Sequence, residues 1–155
     1  MSKIIVAESA GFCFGVNRAI NILYKLIDEN KPACTLGPII PNMQMVNELR
    51  EKGVRTIDKI SEAKENETIV IRSHGVPQSI VDEINERHLD YIDATCPFVS
   101  KIHKIVSETD DDSIVIIAGD KNHPEVQGIM GHCKSKCYTF KNQEELQELF
   151  SIIPQ

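Results

Sequence analysis

Short apolar runs alternate along this chain with amphipathic stretches of helical period, and that alternation restricts the possible folds more than any other feature. Thr68-Ile69-Val70-Ile71-Arg72 is β-branched through its centre, and Ser113 to Ala118 carries Ile-Val-Ile-Ile. A strand that is apolar at consecutive positions must be covered on both faces, as in a parallel sheet between helices. Lys3 to Ala7, with Ile4, Ile5 and Val6 in a row, reads as a first buried strand. Cys34-Thr35-Leu36, Tyr91-Ile92 and a segment near Tyr138 read as further strands. Between them the period lengthens. Val16, Ala19, Ile20, Leu23, Leu26 and Ile27 recur at helical spacing; Met45, Val46 and Leu49 do so before Gly53, and Ile80, Val81 and Ile84 after Pro77. Phe98, Ile102, Ile105 and Val106 are expected to form the inward side of the next helix, and Leu146, Leu149 and Phe150 that of a last one started by Asn142. Ser61 to Glu67 is polar and loop-like, with room for one helical turn. The expected fold class is α/β, with repeated strand-loop-helix units and a mainly parallel sheet. A weak boundary near Cys96 divides a first α/β lobe, residues 1–95, from a second and incomplete one, residues 96–155.

Composition narrows the function. Seventeen basic residues against twenty-three acidic ones leave a net charge of −6. A general nucleic-acid binder needs a basic footprint, so nucleic acid is not an expected partner. Trp is absent and aromatic residues make up 5% of the chain, so few side chains could stack on bases. No apolar run approaches the ~20 residues of a membrane span. Glu8 interrupts the N-terminal run too early for a signal peptide. No membrane partner is expected, and the cytoplasm is the expected location. Five cysteines, an odd number without a secretory signal, argue against a disulfide framework.

The reactive residues fall in loops that are expected to follow strands and open helices: Cys13, His74, Cys96, and His123 with Glu125. In open α/β sheets such loops gather at the carboxyl ends of the strands, where ligands bind. Helix N-termini there favour thiolates and anions. Cys13 stands between Gly11 and Gly15, and Cys96 stands between Asp93-Ala94-Thr95 and Pro97. Each is a candidate metal ligand or nucleophile, and each could equally be a small packed residue. His74, before Gly75, is either a ligand contact or a solvated loop histidine. His123-Pro124-Glu125 pairs an imidazole with a carboxylate that could bind phosphate and relay a proton, or simply cap a helix. Cys34 is expected to pack within its strand. Cys133 and Cys137, with His132 beside them, leave a zinc-binding regulatory piece open as an alternative. His88 and His103 read as ordinary helix-associated residues. A non-catalytic α/β module that binds phosphate or a partner, without metal, also remains open.

Four motifs together resemble one family: Gly11-Phe12-Cys13-Phe14-Gly15-Val16-Asn17-Arg18-Ala19, Ser73-His74-Gly75-Val76, Asp93-Ala94-Thr95-Cys96-Pro97, and Gly119 through His123-Pro124-Glu125-Val126. In order and separation they look like the N-terminal half of 4-hydroxy-3-methylbut-2-enyl diphosphate reductase, the IspH or LytB family. The resemblance implies the first lobe and part of the second of a three-lobed reductase. It implies a [4Fe–4S] cluster held by three cysteines, of which Cys13 and Cys96 match the first two and the third lies outside this chain. It implies that His74 and His123 contact the diphosphate and that Glu125 governs proton delivery to the substrate. An allylic diphosphate substrate and an electron donor such as ferredoxin or flavodoxin are implied as partners. One position departs from the family's pattern: Pro41 stands where a histidine usually precedes the asparagine, here Asn42. A chain lacking the third cysteine is expected to be inactive alone, with an exposed apolar face and a tendency to self-associate.

Overall fold

The computed structural model describes residues 3–8 and 10–153. In chain order the elements are α1 (Phe14–Asp28), β1 (Ala33–Leu36), α2 (Met43–Glu51), β2 (Arg55–Ile57), a 3-10 turn (Ile60–Glu62), β3 (Thr68–Ile71), α3 (Gln78–Glu86) and β4 (Tyr91–Asp93). There follow α4 (Pro97–Ser107), β5 (Ile114–Ala118), α5 (Pro124–Met130), β6 (Lys136–Phe140) and α6 (Gln143–Ile152). The first four strands form one sheet in the order β2-β1-β3-β4, and β5 and β6 form a second. Every pairing is parallel. The fold is therefore α/β, and no helix among the described residues is long and apolar enough to cross a membrane.

Strand periodicity sorts the core of the first sheet into two layers. Ala33 and Val70 face Ala19, Ile20, Leu23 and Leu26 of α1 and Leu49 of α2. Cys34, Leu36, Ile69 and Ile71 face the other way, onto Ile60, Val76 and Ile84. Cys34 is wholly buried, which holds its thiol up at about 11. Adjacent positions on opposite faces are thus all apolar, because helices cover both.

Two sequence expectations fail. Lys3 to Ala7 forms no strand, and Ile4, Ile5 and Val6 are exposed. A strand exists only where a neighbour takes up its backbone groups, and this segment pairs with none. The buried side of α4 also differs: of the residues expected inward Val106 is buried, together with Val99 and His103, while Phe98, Ile102 and Ile105 are exposed. The two stripes lie side by side on one helix, and the apolar period alone does not say which one docks. β2 had no counterpart in the sequence reading. Pro77 precedes α3 as its N-cap.

Candidate active site

Three of the reactive side chains sit at N-caps. Cys13 caps α1, Cys96 caps α4 with Pro97 as the first helical residue, and His123 caps α5 with Pro124 following. Proline at that position removes an amide that would be unpaired and presets the helical φ. His74 lies instead in the loop between β3 and α3, three residues ahead of the α3 N-cap. Cys13 does not follow a strand, so the strand-loop-helix pattern holds for the other loops but not for the first.

Backbone hydrogen bonds lock these loops together. The Ser73 amide donates to the Ile39 carbonyl at 3.2 Å, and the Cys96 amide donates to the Ser73 carbonyl at 2.9 Å. The Arg18 guanidinium reaches from α1 to the carbonyls of Thr95 (3.2 Å) and Asp93 (3.1 Å). The Asp93 carboxylate accepts from the Thr95 amide at 2.8 Å, which sets the turn into Cys96. Arg18 was not among the sequence candidates, although it lies inside the first quoted motif.

The strongest link between the two cysteine loops is a steric one. A Cβ built on Gly15 would stand 2.5 Å from Cys96 Sγ and 3.0 Å from its Cβ. Cys96 therefore packs directly on the first turn of α1, two residues beyond Cys13, in space that only glycine leaves. Neither the Cys13 nor the Cys96 side chain makes a capping hydrogen bond. Cys13 is exposed and Cys96 half-buried, and both thiols are free. Two uncommitted soft donors at neighbouring helix starts suit thiolate ligation.

The imidazoles meet as well. The rings of His74 and His123 lie edge to face with centroids 5.9 Å apart. His123 Nδ1 accepts from the Glu125 amide at 3.2 Å, so a neutral ring carries its proton on Nε2, free to donate to a ligand. Burial lowers the His74 pKa; Glu125 opposes that shift, and Arg72 and His123 reinforce it. The structure thus brings His74, His123 and Glu125 into one electrostatic neighbourhood. Pro41 is exposed, and the Asn42 side chain is occupied in capping α2, accepting from the Met45 amide at 3.0 Å.

The zinc alternative gains no support. His132 stacks on His103 with ring centroids 4.1 Å apart, and its Nε2 bonds the Val76 carbonyl at 3.1 Å. Among the described residues no group of three or more His, Cys, Asp or Glu side chains is arranged to hold a metal ion. Cys137 is pushed up to about 12, by burial first and then by the Cys133 thiol.

Parallel α/β units with cysteines and histidines at their loop ends describe a class of site, and comparison with known proteins supplies the family. A family model described as LytB protein matches residues 4–154. This chain belongs to the LytB family. It is 39% identical over 150 residues to a 4-hydroxy-3-methylbut-2-enyl diphosphate reductase of Alkaliphilus oremlandii, covering 95% of this chain and 53% of that protein. It is 42% identical over 152 residues to the protein of the same name from Caldanaerobacter subterraneus, with the same coverage. A solved structure of (E)-4-hydroxy-3-methyl-but-2-enyl diphosphate reductase, described as the terminal enzyme of the non-mevalonate pathway, superposes with a TM-score of 0.81 at 40% identity. That match covers 97% of this chain and 55% of the other. The corresponding reductase from Plasmodium falciparum also gives 0.81, at 27% identity, over 91% of this chain and 45% of its own. The chain thus spans about half the length of the curated relatives it matches.

Proposed function

We propose that this chain carries the N-terminal half of a reductase that converts 4-hydroxy-3-methylbut-2-enyl diphosphate to isopentenyl and dimethylallyl diphosphate. The observation that supports this best is the seat of Cys96 on Gly15 beside Cys13, which gathers two free thiols at adjoining helix starts. In this reading Cys13 and Cys96 are two of three protein ligands to a [4Fe–4S] cluster, and the third cysteine lies outside this chain. When bound, the cluster supplies electrons and a Lewis-acidic iron for the substrate hydroxyl.

The chain's own residues bind and protonate. His123, with its Nδ1 occupied by the Glu125 amide, donates from Nε2 to a diphosphate oxygen. His74 joins it from 5.9 Å away, ring to ring. Pro41 offers no donor, so these two imidazoles carry more of the diphosphate contact than in relatives with a histidine there. Glu125, half-buried at the start of α5, governs the proton that lets the hydroxyl leave as water. The reaction balances with two electrons from a ferredoxin- or flavodoxin-type donor and two protons, one to the leaving hydroxyl and one to the allylic carbon. The reading includes two lobes dividing near residues 95 and 96, supported by one sheet ending at Asp93 and another beginning at Ile114. It also includes a cytoplasmic location and self-association through the exposed Phe14, Phe98 and Ile105.

The test is anaerobic iron–sulfur reconstitution of this chain, alone and fused to the second half of the Alkaliphilus relative. The fusion should bind about four irons and form both products, and the isolated chain should do neither. Cys13→Ser and Cys96→Ser should each abolish the cluster in the fusion. Glu125→Gln should keep it and slow turnover by ~10²–10⁴. A fusion that loads iron and is silent toward the diphosphate would sink the reading.

A further inference from the structure

The reductase reading leaves His103 without a task. It lies midway along α4, 7% exposed, and its Nε2 is the buried side-chain polar atom that finds no hydrogen-bond partner among the described residues. A buried donor or acceptor without a partner is costly, so such an atom calls for an explanation.

The surroundings give one. The His103 ring packs beneath the Ser73–Val76 loop, where a Cβ on Gly75 would stand 2.5 Å from its Cε1. A Cβ on Gly128 of α5 would stand 3.2 Å from His103 Nε2 and 3.5 Å from the His74 carbonyl oxygen. Both groups therefore lie beside Gly128, close to where a side chain would start. The His74 carbonyl is likewise without a partner: it accepts none of the hydrogen bonds formed between described residues. A ring nitrogen and a carbonyl oxygen, neither hydrogen-bonded to another described residue, thus lie beside the same glycine.

His132 shows how the arrangement works. It stacks on His103 with the ring planes 22° apart, and its Nε2 lies 3.1 Å from the Val76 carbonyl. A carbonyl only accepts, so His132 carries its proton on Nε2. One ring of the stack thus holds the loop at residue 76. Burial, and then the neighbouring His132, push the His103 pKa down to about 4, with Asp93 opposing. The His103 ring is therefore neutral at neutral pH and has a single N–H to place.

We propose that His103 is a positioning residue for His74: its Nε2–H reaches the His74 carbonyl beside Gly128 through one bridging water, and so fixes the imidazole offered to the diphosphate. The two stacked rings then pin alternate carbonyls of one loop, His74 through His103 and Val76 through His132. This rests on the reading of His74 as a diphosphate contact, and the experiment separates the two.

In the isotopically labelled full chain, the His103 nitrogen shifts should report the Nε2–H tautomer, with a slowly exchanging proton. His103→Phe keeps a ring under Gly75 and removes the donor. It should move the His74 carbonyl carbon resonance more than those of its neighbours and weaken binding of inorganic pyrophosphate roughly tenfold. His103→Gln, whose amide can replace the Nε2 donor, should recover most of both. An Nδ1–H tautomer in the unsubstituted chain, or an unmoved His74 carbonyl in His103→Phe, would overturn the proposal. Should His103→Phe fail to fold, the tautomer and the exchange rate in the unsubstituted chain still decide it. If the carbonyl moves while the unsubstituted chain ignores pyrophosphate, the positioning role stands and the diphosphate role of His74 falls.

Discussion

The two sheets are built from the same strand-loop-helix unit, yet they are buried very differently. In the first, Ile69, Val70 and Ile71 are 1% exposed or less. In the second, no position of β5 or β6 is fully buried, and Ile116 is 41% exposed. Strand composition is not the cause, since Ile-Val-Ile-Ile is at least as apolar as Ile-Val-Ile. The difference lies in what covers them. α1 and α2 close one face of the first sheet and α3 the other, over four strands. The second sheet has two strands, with α5 and α6 as its own helices. An isolated pair of strands is marginal and needs further cover to gain independent stability. The candidate site draws on both regions: His74 comes from the better-buried one, and His123 and Glu125 from the other.

Core truncation is the most direct way to break this comparison and should show the largest effect. Ile71→Ala removes a wholly buried side chain and should cost about 2–5 kcal/mol in urea unfolding. Ile116→Ala, at a half-exposed position, should cost less than ~1 kcal/mol. Equal costs would mean that the second sheet is covered in solution by something, most simply another copy of the chain. Dilution across the unfolding midpoint would then reveal it.

How far the sequence disclosed this structure does not follow that division: β5 and α6 were as legible as β3, while β2 of the first sheet was not. β3 was legible because consecutive apolar residues at 69–71 leave only a doubly covered strand as an answer. Cys96 and His123 were legible as helix starts because Pro97 and Pro124 punctuate them. The segment from Lys3 to Ala7 misled because an apolar triplet marks a need for cover without providing it. α4 misled because its docking stripe runs through His103, a residue not counted as apolar, while the more apolar stripe of Phe98, Ile102 and Ile105 faces out. Gly75 and Gly128 are the sequence trace of that histidine's burial, readable only once the fold has placed all three together. Arg18 clamps backbone carbonyls seventy-five and seventy-seven residues away, and no local pattern encodes that.

The contact between the cysteine loops gives the next prediction. Alanine is ordinarily favoured over glycine in a helix by up to ~1 kcal/mol. At Gly15, however, the added methyl must displace Cys96 Sγ. Overpacking of this kind costs ~1–3 kcal/mol, so Gly15→Ala should destabilise the chain by about 1–2 kcal/mol net. In the reconstituted fusion it should also lower iron content more than that loss of stability would. Full iron loading would show that the cysteine loops tolerate separation.

A smaller effect should appear at the open edge of the first sheet. Arg55 on β2 donates to both Glu67 carboxylate oxygens, Nε to Oε1 at 3.0 Å and Nη2 to Oε2 at 2.7 Å. The Lys64 amide adds a third bond at 2.8 Å. Chiefly through Arg55, the Glu67 carboxyl is held down at about 2. A carboxyl depressed in the folded state contributes stability above its unfolded pKa of ~4.3, and the contribution fades as the pH falls towards 2. Glu67→Gln should therefore cost about 1–2 kcal/mol at pH 7, reduced from the full value because Arg55 is partly exposed. The gap between the two proteins should close between about pH 4.5 and pH 2. A constant gap across that range would assign the effect to packing.

The smallest effect sharpens the comparison most, because it asks whether the two regions open together. Asn42 caps α2 and Asn142 caps α6, each accepting from the third amide, at 3.0 Å and 2.8 Å. Beside the second cap, Glu145 Oε2 also accepts from the Lys141 amide, one residue ahead of Asn142, at 2.9 Å. Each alanine substitution should remove about 1 kcal/mol. α2 contributes Leu49 to the closed core of the first sheet, so Asn42→Ala should lower the urea midpoint of the whole protein. α6 rests on strands that are themselves half-covered, and Leu149 is its one buried residue. Its opening is expected to be local, a separate unit of low stability. Asn142→Ala should then speed amide hydrogen exchange several-fold at Leu146 and Leu149 and leave the midpoint of the first sheet where it was. If both variants shift one shared transition by the same amount, the contrast in burial carries no contrast in cooperativity, and the two sheets unfold as one.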